Sequence, residues 1–211
     1  MRLDKIPAGE NPPGDINVVI EVPVRSDPVK YEMDKESGAM VVDRILGTSM
    51  HYPVNYGFIP NTLGGDGDPI DVMVVSDIPI NSGAVIAVRP IGVMMMTDDG
   101  GVDEKILAVP ASRINPAYDE YQNFEDLPQP LREQIEHFFS HYKDLENGKW
   151  AKVSGWEGPE AAGDIIMAGI AQHETMELVA KQRDKRKGGG PGDQAGPAAN
   201  DGPDTQRRQM P

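Results

Sequence analysis

The sequence predicts a mainly β protein of the α+β class: a small closed or nearly closed β-barrel, followed by two helices. Three observations predict it. As far as Val109 the chain offers several short runs rich in Val and Ile, closely spaced and separated by Gly-rich turns. From Leu131 the apolar residues change to helical spacing, at Leu131, Ile135, Phe138, Phe139, Tyr142 and Leu145. A second helical stretch opens at Pro159, a residue suited to a first helical turn.

The first strand is expected from Ile16 to Val24, after the turn Asn11-Pro12-Pro13-Gly14-Asp15. Its one charge is Glu21, and the simpler reading of that residue is an edge position facing water. A buried Glu21 would instead need a partner and would belong to a site. Val29 to Met33 is a second strand, in which Lys30 and Glu32 fall on one face. A turn at Glu36-Ser37-Gly38-Ala39 makes it a hairpin with Met40 to Leu46, which carries Arg44. His51 to Pro60 holds two tyrosines, Tyr52 and Tyr56, beside two prolines, and reads as a fixed extended segment whose tyrosines pack. Asp71 to Val75, Ala84 to Arg89, Ile91 to Met96 and Ile106 to Val109 are strands, with a turn at Asn81-Ser82-Gly83 and an acidic turn from Thr97 to Lys105. Pro128 and Pro130 mark the start of the first helix. Lys149 to Trp156 is a last extended piece, and the second helix runs from about Pro159 to about Arg183. From Asp184 to Pro211 a Gly/Pro-rich stretch has almost no apolar residues with which to form a core, so disorder is expected there. One domain over residues 1–183 is therefore predicted, with a tail at 184–211.

The bulk properties narrow the function. A net charge of −14 over 211 residues lacks the basic footprint of a nucleic-acid binder. The absence of cysteine removes thiol chemistry and zinc–thiolate sites and favours a cytoplasmic home. Met1 to Gly9 has no apolar signal core, and no run approaches the ~18 apolar residues of a membrane span.

The chemistry concentrates at Gly64-Gly65-Asp66-Gly67-Asp68-Pro69-Ile70-Asp71, which places three carboxylates within six residues. Two carboxylates ~5 Å apart repel by roughly 3 kcal/mol at an effective dielectric of 20. Such a bend asks for a cation, and an oxygen-only ligand set suits a hard divalent ion. An EF-hand loop is excluded, because its sixth position would be Asp71 rather than Gly, its twelfth would be Asp77 rather than Glu, and its flank is a Val-rich strand. A solvated turn is the simpler alternative. It is weakened by the second acidic turn, where Asp98 and Asp103 recur beside Lys105. Lys30, Arg44, Lys105 and Lys143 supply charged donors for phosphate oxygens, and Tyr56 and Tyr142 supply hydroxyls. The chain has neither a P-loop nor a dinucleotide-binding glycine fingerprint, which points to a small phosphate substrate. His137 and His141 lack the glutamate of a metalloprotease helix and read as surface residues. Trp150, Trp156 and Met94 to Met96 read as packing. A barrel that binds metal or anions without turnover is the competing reading, and it would not need so many phosphate donors.

These segments resemble a family I soluble inorganic pyrophosphatase of the bacterial type. The signature is Asp66-Gly67-Asp68-Pro69-Ile70-Asp71-Val72, and Ile20 to Pro23, Lys30-Tyr31-Glu32, Val42-Asp43-Arg44, Tyr52 to Gly57, Asp98 to Lys105 and His137 to Leu145 follow the family's order. The resemblance covers residues 1 to about 180. It implies a five-stranded barrel of the OB type flanked by two helices, and Mg²⁺-dependent hydrolysis of pyrophosphate to two orthophosphates, with Mn²⁺ a substitute. It implies several metal ions held by Asp66, Asp71, Asp103 and Asp98, with Glu32 helping and Glu21 at the rim of the metal shell. Asp68 is implied as general base, and Lys30, Arg44, Tyr56, Lys105, Tyr142 and Lys143 as phosphate ligands. A homohexamer is implied as well. Asp99 stands where relatives often carry Glu, and being one methylene shorter it puts an outer-shell role in doubt.

Overall fold

The structure is a computed structural model and describes residues 1–188. The strands are β1 (Ile16–Val22), β2 (Val29–Met33), β3 (Met40–Ile45), β4 (Asn55–Phe58), β5 (Asp71–Val74), β6 (Val85–Asp98), β7 (Gly101–Val102), β8 (Lys105–Pro110) and β9 (Ala151–Glu157). The helices are α1 (Gln129–His141) and α2 (Pro159–Gly188). By internal contacts the chain divides into residues 1–176 and 177–211, and the described residues of the second unit are helical, with a Lys181 Nζ–Glu177 Oε2 pair at 2.7 Å. The sequence places the end of this helix near Arg183. Beyond Gly188 the expected tail lies outside the described residues.

Five strands form a ring through the pairings β1–β4, β4–β5, β5–β8, β8–β6 and β6–β1, and β5–β8 is its parallel pair. Both β7 and β9 attach to β6, and β2 and β3 form a separate hairpin sheet. The expected mainly β protein with two helices and an OB-type ring of five strands is thus what the chain forms. Strand alternation divides the core. Val72 and Val74 of β5 and Ile106 and Ala108 of β8 pack in one cluster with Ala162 and Ile166 of α2. Met73, Leu107 and Val109 point the other way, into a second cluster with Ile135, Phe138 and Phe139 of α1.

Two expectations are corrected. Ala84 to Arg89 and Ile91 to Met96 are one strand, β6. Pro90 does not end it, because the β6–β8 register slips between Pro90 and Gly92 and a bulge absorbs the lost donor. Leu145 does not belong to the apolar stripe of α1: the helix ends at His141 and Leu145 is 69% exposed.

Candidate active site

A cleft of about 200 Å³ opens where the ends of several ring strands meet the β2–β3 hairpin and the end of α1. Every residue that the sequence picks out for the site lines it. Asp66, Asp68 and Asp71 come from the acidic bend, and Asp98, Asp103 and Lys105 from the second acidic turn. Glu21 comes from β1, Lys30, Glu32 and Arg44 from the hairpin, Tyr56 from β4, and Tyr142 and Lys143 from just beyond α1.

Topology brings the two acidic turns together. Val72 pairs with Ile106 across the parallel strands β5 and β8, so Asp71 and Lys105, one residue earlier in each, open neighbouring strands. Lys105 is 3% exposed, and its ammonium donates to Asp71 at 2.5 Å and also to Asp103. Burial works against its charge, but the two carboxylates outweigh that and hold its pKa above the usual lysine value. For Asp103 burial wins. Its pKa lies above the carboxylate range, with Lys105 offsetting only part of the rise and Asp71 adding to it. Asp98 behaves oppositely: burial opposes its charge, but donors from Lys143 Nζ at 2.6 Å and the Gly100 amide at 2.7 Å keep its pKa low.

The bend is built by its own hydrogen bonds. Gly64 N donates to Asp68 O at 2.6 Å, and Asp68 N donates to Asp66 Oδ1 at 2.9 Å. Gly67 sits at φ +91°, a conformation open to glycine at no steric cost.

Glu21 is 7% exposed, so its reading as a water-facing edge residue is overturned. The β1–β4 register slips between Ile20 and Val22, which makes Glu21 the extra residue of a bulge. Its carboxylate accepts from Met33 N at 2.8 Å. Burial nevertheless pushes its pKa up to about 7, and Asp71 adds to the rise.

The hairpin sets two cations side by side. Lys30 and Arg44 are direct cross-strand partners, an arrangement that like charges disfavour. Carboxylates hold them in place: Lys30 donates to Glu32, and Arg44 donates to Asp43 Oδ2 at 2.8 Å and Glu146 Oε2 at 2.6 Å. Tyr52, Tyr56, Phe138, Phe139 and Tyr142 form one packed aromatic group at the cleft, in which Phe138 and Tyr142 stack and the other rings meet tilted or edge-on. Burial raises the pKa values of the Tyr56 and Tyr142 hydroxyls, and nearby aspartates add to this, so both remain donors.

Sequence reasoning missed Lys35, Asp43 and Glu146. Lys35 lines the cleft and donates to Asp68 Oδ1 at 2.5 Å, across a chain separation that no local pattern reveals. Asp43, beside Arg44 in the quoted Val42-Asp43-Arg44 segment, was within reach of inspection. Asp99 does not line the cleft and pairs with Lys149 Nζ at 2.6 Å.

The donor set fits a hard divalent cation. The cleft holds seven carboxylates (Glu21, Glu32, Asp66, Asp68, Asp71, Asp98, Asp103) against five cationic side chains (Lys30, Lys35, Arg44, Lys105, Lys143), with no thiol or imidazole. Burial is the main cause of the raised pKa values of Glu21 and Asp103, and Asp71 adds to both. Among the described residues no three carboxylates or histidines converge closely enough to ligate one ion as placed, and the Lys105 ammonium bridges Asp71 and Asp103.

The family model described as inorganic pyrophosphatase matches residues 18–174. An inorganic pyrophosphatase of Agrobacterium fabrum is 57% identical over 83% of this chain and 99% of that protein. One of Rhodospirillum rubrum is 58% identical over 85% of this chain and 100% of that protein. The solved structure of an inorganic pyrophosphatase from Coxiella burnetii superposes with a TM-score of 0.78 at 48% identity, over 80% of this chain and 99% of that one. On the family match over residues 18–174 and on relatives more than 50% identical over most of both chains, the chain belongs to the family I soluble inorganic pyrophosphatases of the bacterial type, hydrolases of the pyrophosphate anhydride bond.

Proposed function

We propose that this cleft hydrolyses pyrophosphate in a Mg²⁺-dependent reaction with Asp68 as general base. The observation that carries the reading is that carboxylates from two acidic turns and cations from a separate hairpin line one cleft of about 200 Å³. Asp66, Asp71, Asp103 and Asp98, assisted by Glu32 and Glu21, are the residues that would hold the metal, with Mn²⁺ as a substitute. Bound there, the ions would lower the pKa of a water and neutralise phosphate charge.

The chain's own residues supply the rest. Lys30 and Arg44 stand paired on the hairpin, and a dianionic phosphate would relieve their mutual repulsion while receiving charge-assisted hydrogen bonds. Lys105, Lys143, Tyr56 and Tyr142 line the same cleft and would donate to phosphate oxygens as well. Asp66 and Asp68 are both exposed, whereas the Asp71 side chain is 28% exposed. Asp68 has 70% of its side chain in solvent and one surface ion pair to Lys35. Such a pair contributes little. Asp71 and Asp103 are committed to Lys105, which leaves the exposed carboxylates of the bend to take a proton from the attacking water, and the family resemblance assigns that role to Asp68.

Phosphate release from pyrophosphate, measured with and without Mg²⁺, tests the proposal. Release is expected only with the metal. Asp68→Asn should lower kcat by about 100-fold or more, with metal affinity by calorimetry nearly unchanged. Asp66→Asn should mainly weaken metal binding. Equal effects of the two on metal affinity would remove the assignment of roles. Comparable rates on pyrophosphate, ATP and tripolyphosphate would count against a pyrophosphate-specific site. A cytoplasmic homohexamer completes the proposal. Exposed Val42, Ile45, Leu145 and Trp150 support subunit contacts, and light scattering that shows a monomer would remove it.

A further inference from the structure

The acidic bend rests on α2 at one residue that carries no side chain. Leu63 opens the bend, and its amide donates to the Gly169 carbonyl at 3.0 Å. Ile70 closes the bend. A Cβ built at Gly169 would stand 2.4 Å from Ile70 Cδ1 and 3.1 Å from the Leu63 carbonyl oxygen. Both ends of the segment that carries Asp66 and Asp68 therefore meet the helix at Gly169, and Asp71 follows directly.

Ile70 shares with Gly169 the lining of a second cleft of about 270 Å³, but most of its surface is packed. It is 5% exposed and packs in the cluster that includes Ile16, Ile59, Val72 and Ile166. Its backbone is held on both sides: the Ile70 amide donates to Thr62 Oγ1 at 3.0 Å, and its carbonyl accepts from the Ile59 amide at 2.9 Å. Its β-branched side chain has few rotamers to choose from. Alanine is the better helix former, so glycine here is a local cost to α2 that close approach explains. Gly163 is a control on the same helix. A Cβ there would meet only the Pro13 ring, at 3.2 Å, and no residue of the bend.

We propose that Gly169 is a positioning residue for the reaction. Its missing side chain sets the distance between α2 and the bend, and through Leu63 and Ile70 it sets where Asp66, Asp68 and Asp71 stand. The inference rests on the pyrophosphatase reading of the cleft.

The test compares wild type, Gly163→Ala, Ile70→Val, Gly169→Ala and the double variant Gly169→Ala/Ile70→Val. The readouts are kcat and KM for pyrophosphate, Mg²⁺ affinity by calorimetry without substrate, and Tm. Gly169→Ala is expected to lower kcat by about tenfold or more, and to weaken Mg²⁺ binding, without a matching fall in Tm. Gly163→Ala should behave as wild type. Ile70→Val removes the Cδ1 atom that a Cβ would strike. The double variant should therefore return to within about twofold of Ile70→Val, a non-additivity expected of groups in direct contact. Wild-type kcat and Mg²⁺ affinity in Gly169→Ala would overturn the proposal, as would a loss that the double variant does not reverse. If Gly169→Ala does not fold, the double variant decides: folded and active supports the proposal, and inactive or unfolded overturns it. A wild type that releases no phosphate would instead remove the pyrophosphatase reading, before any variant is compared.

Discussion

Lys105 is the residue on which the cleft's charge balance turns. It is a buried ammonium held between two carboxylates, Asp71 and Asp103. Removing one partner from a buried ionic group leaves the remaining charges uncompensated, which typically costs about 3–5 kcal/mol. Lys105→Met should therefore lower Tm by roughly 10 °C for a chain of this size. A divalent cation would supply part of the missing positive charge, so the deficit should shrink when Mg²⁺ is added. A Tm loss that Mg²⁺ leaves unchanged would argue that the two carboxylates do not share a cation. The exposed pair Lys35–Asp68 calls for the opposite expectation. With side chains 51% and 70% exposed, it contributes little to stability.

At the scale of elements, the β2–β3 hairpin is a separate two-stranded sheet whose purpose is legible in its pairing. Lys30 opposite Arg44 is a poor choice for a sheet and a good one for an anion. Arg44→Gln should lower Tm modestly, because Asp43 and Glu146 lose their partner, and raise KM for pyrophosphate. A charge-assisted hydrogen bond contributes about 1.5–3 kcal/mol, so the rise should be roughly 10- to 100-fold. An unchanged KM would place the substrate elsewhere in the cleft. Helix α1 acts differently, by packing. Phe139 lines the cleft and packs against Tyr56 and Tyr142, with ring centroids at 5.9 Å and 5.7 Å. Phe139→Ala should cost about 3–5 kcal/mol in stability. Because both tyrosine hydroxyls lose their support, denaturant melts and turnover should fall together.

At the scale of the molecule, the family match spans residues 18–174 and the cleft is lined by no residue later than Lys143. A chain ended at Gly188 should therefore release phosphate at the full-length rate. A clear loss would assign a role to residues 189–211. Among the described residues no helix is long and apolar enough to cross a membrane. The chain carries −14 overall and the cleft itself holds seven carboxylates against five cations, so an anionic substrate there would need bound cations as well as these side chains to offset the charge.

Local order determined much of this in advance. The alternation Val72, Met73, Val74, Val75 sends side chains to two faces whatever lies beyond them, and the structure fills those faces with separate clusters. The Asp-Gly-Asp-Pro-Ile-Asp bend, the hairpin that carries Lys30, Glu32 and Arg44, and the helix start marked by Pro128 and Pro130 are written in neighbouring residues. Other features depend on chain that arrives from elsewhere. Glu21 is buried because a bulge turns it toward the Met33 amide, and Lys35 reaches Asp68 from the turn of the β2–β3 hairpin. Pro90 passes through β6 because β8 accommodates a slip in register. The approach of Gly169 to Ile70 is a matter of one helix lying against one loop. Periodicity and turn chemistry act over a few residues, so sequence reports them. Burial, register and distance of approach are set by the partner surface, and only the folded chain brings that surface into place.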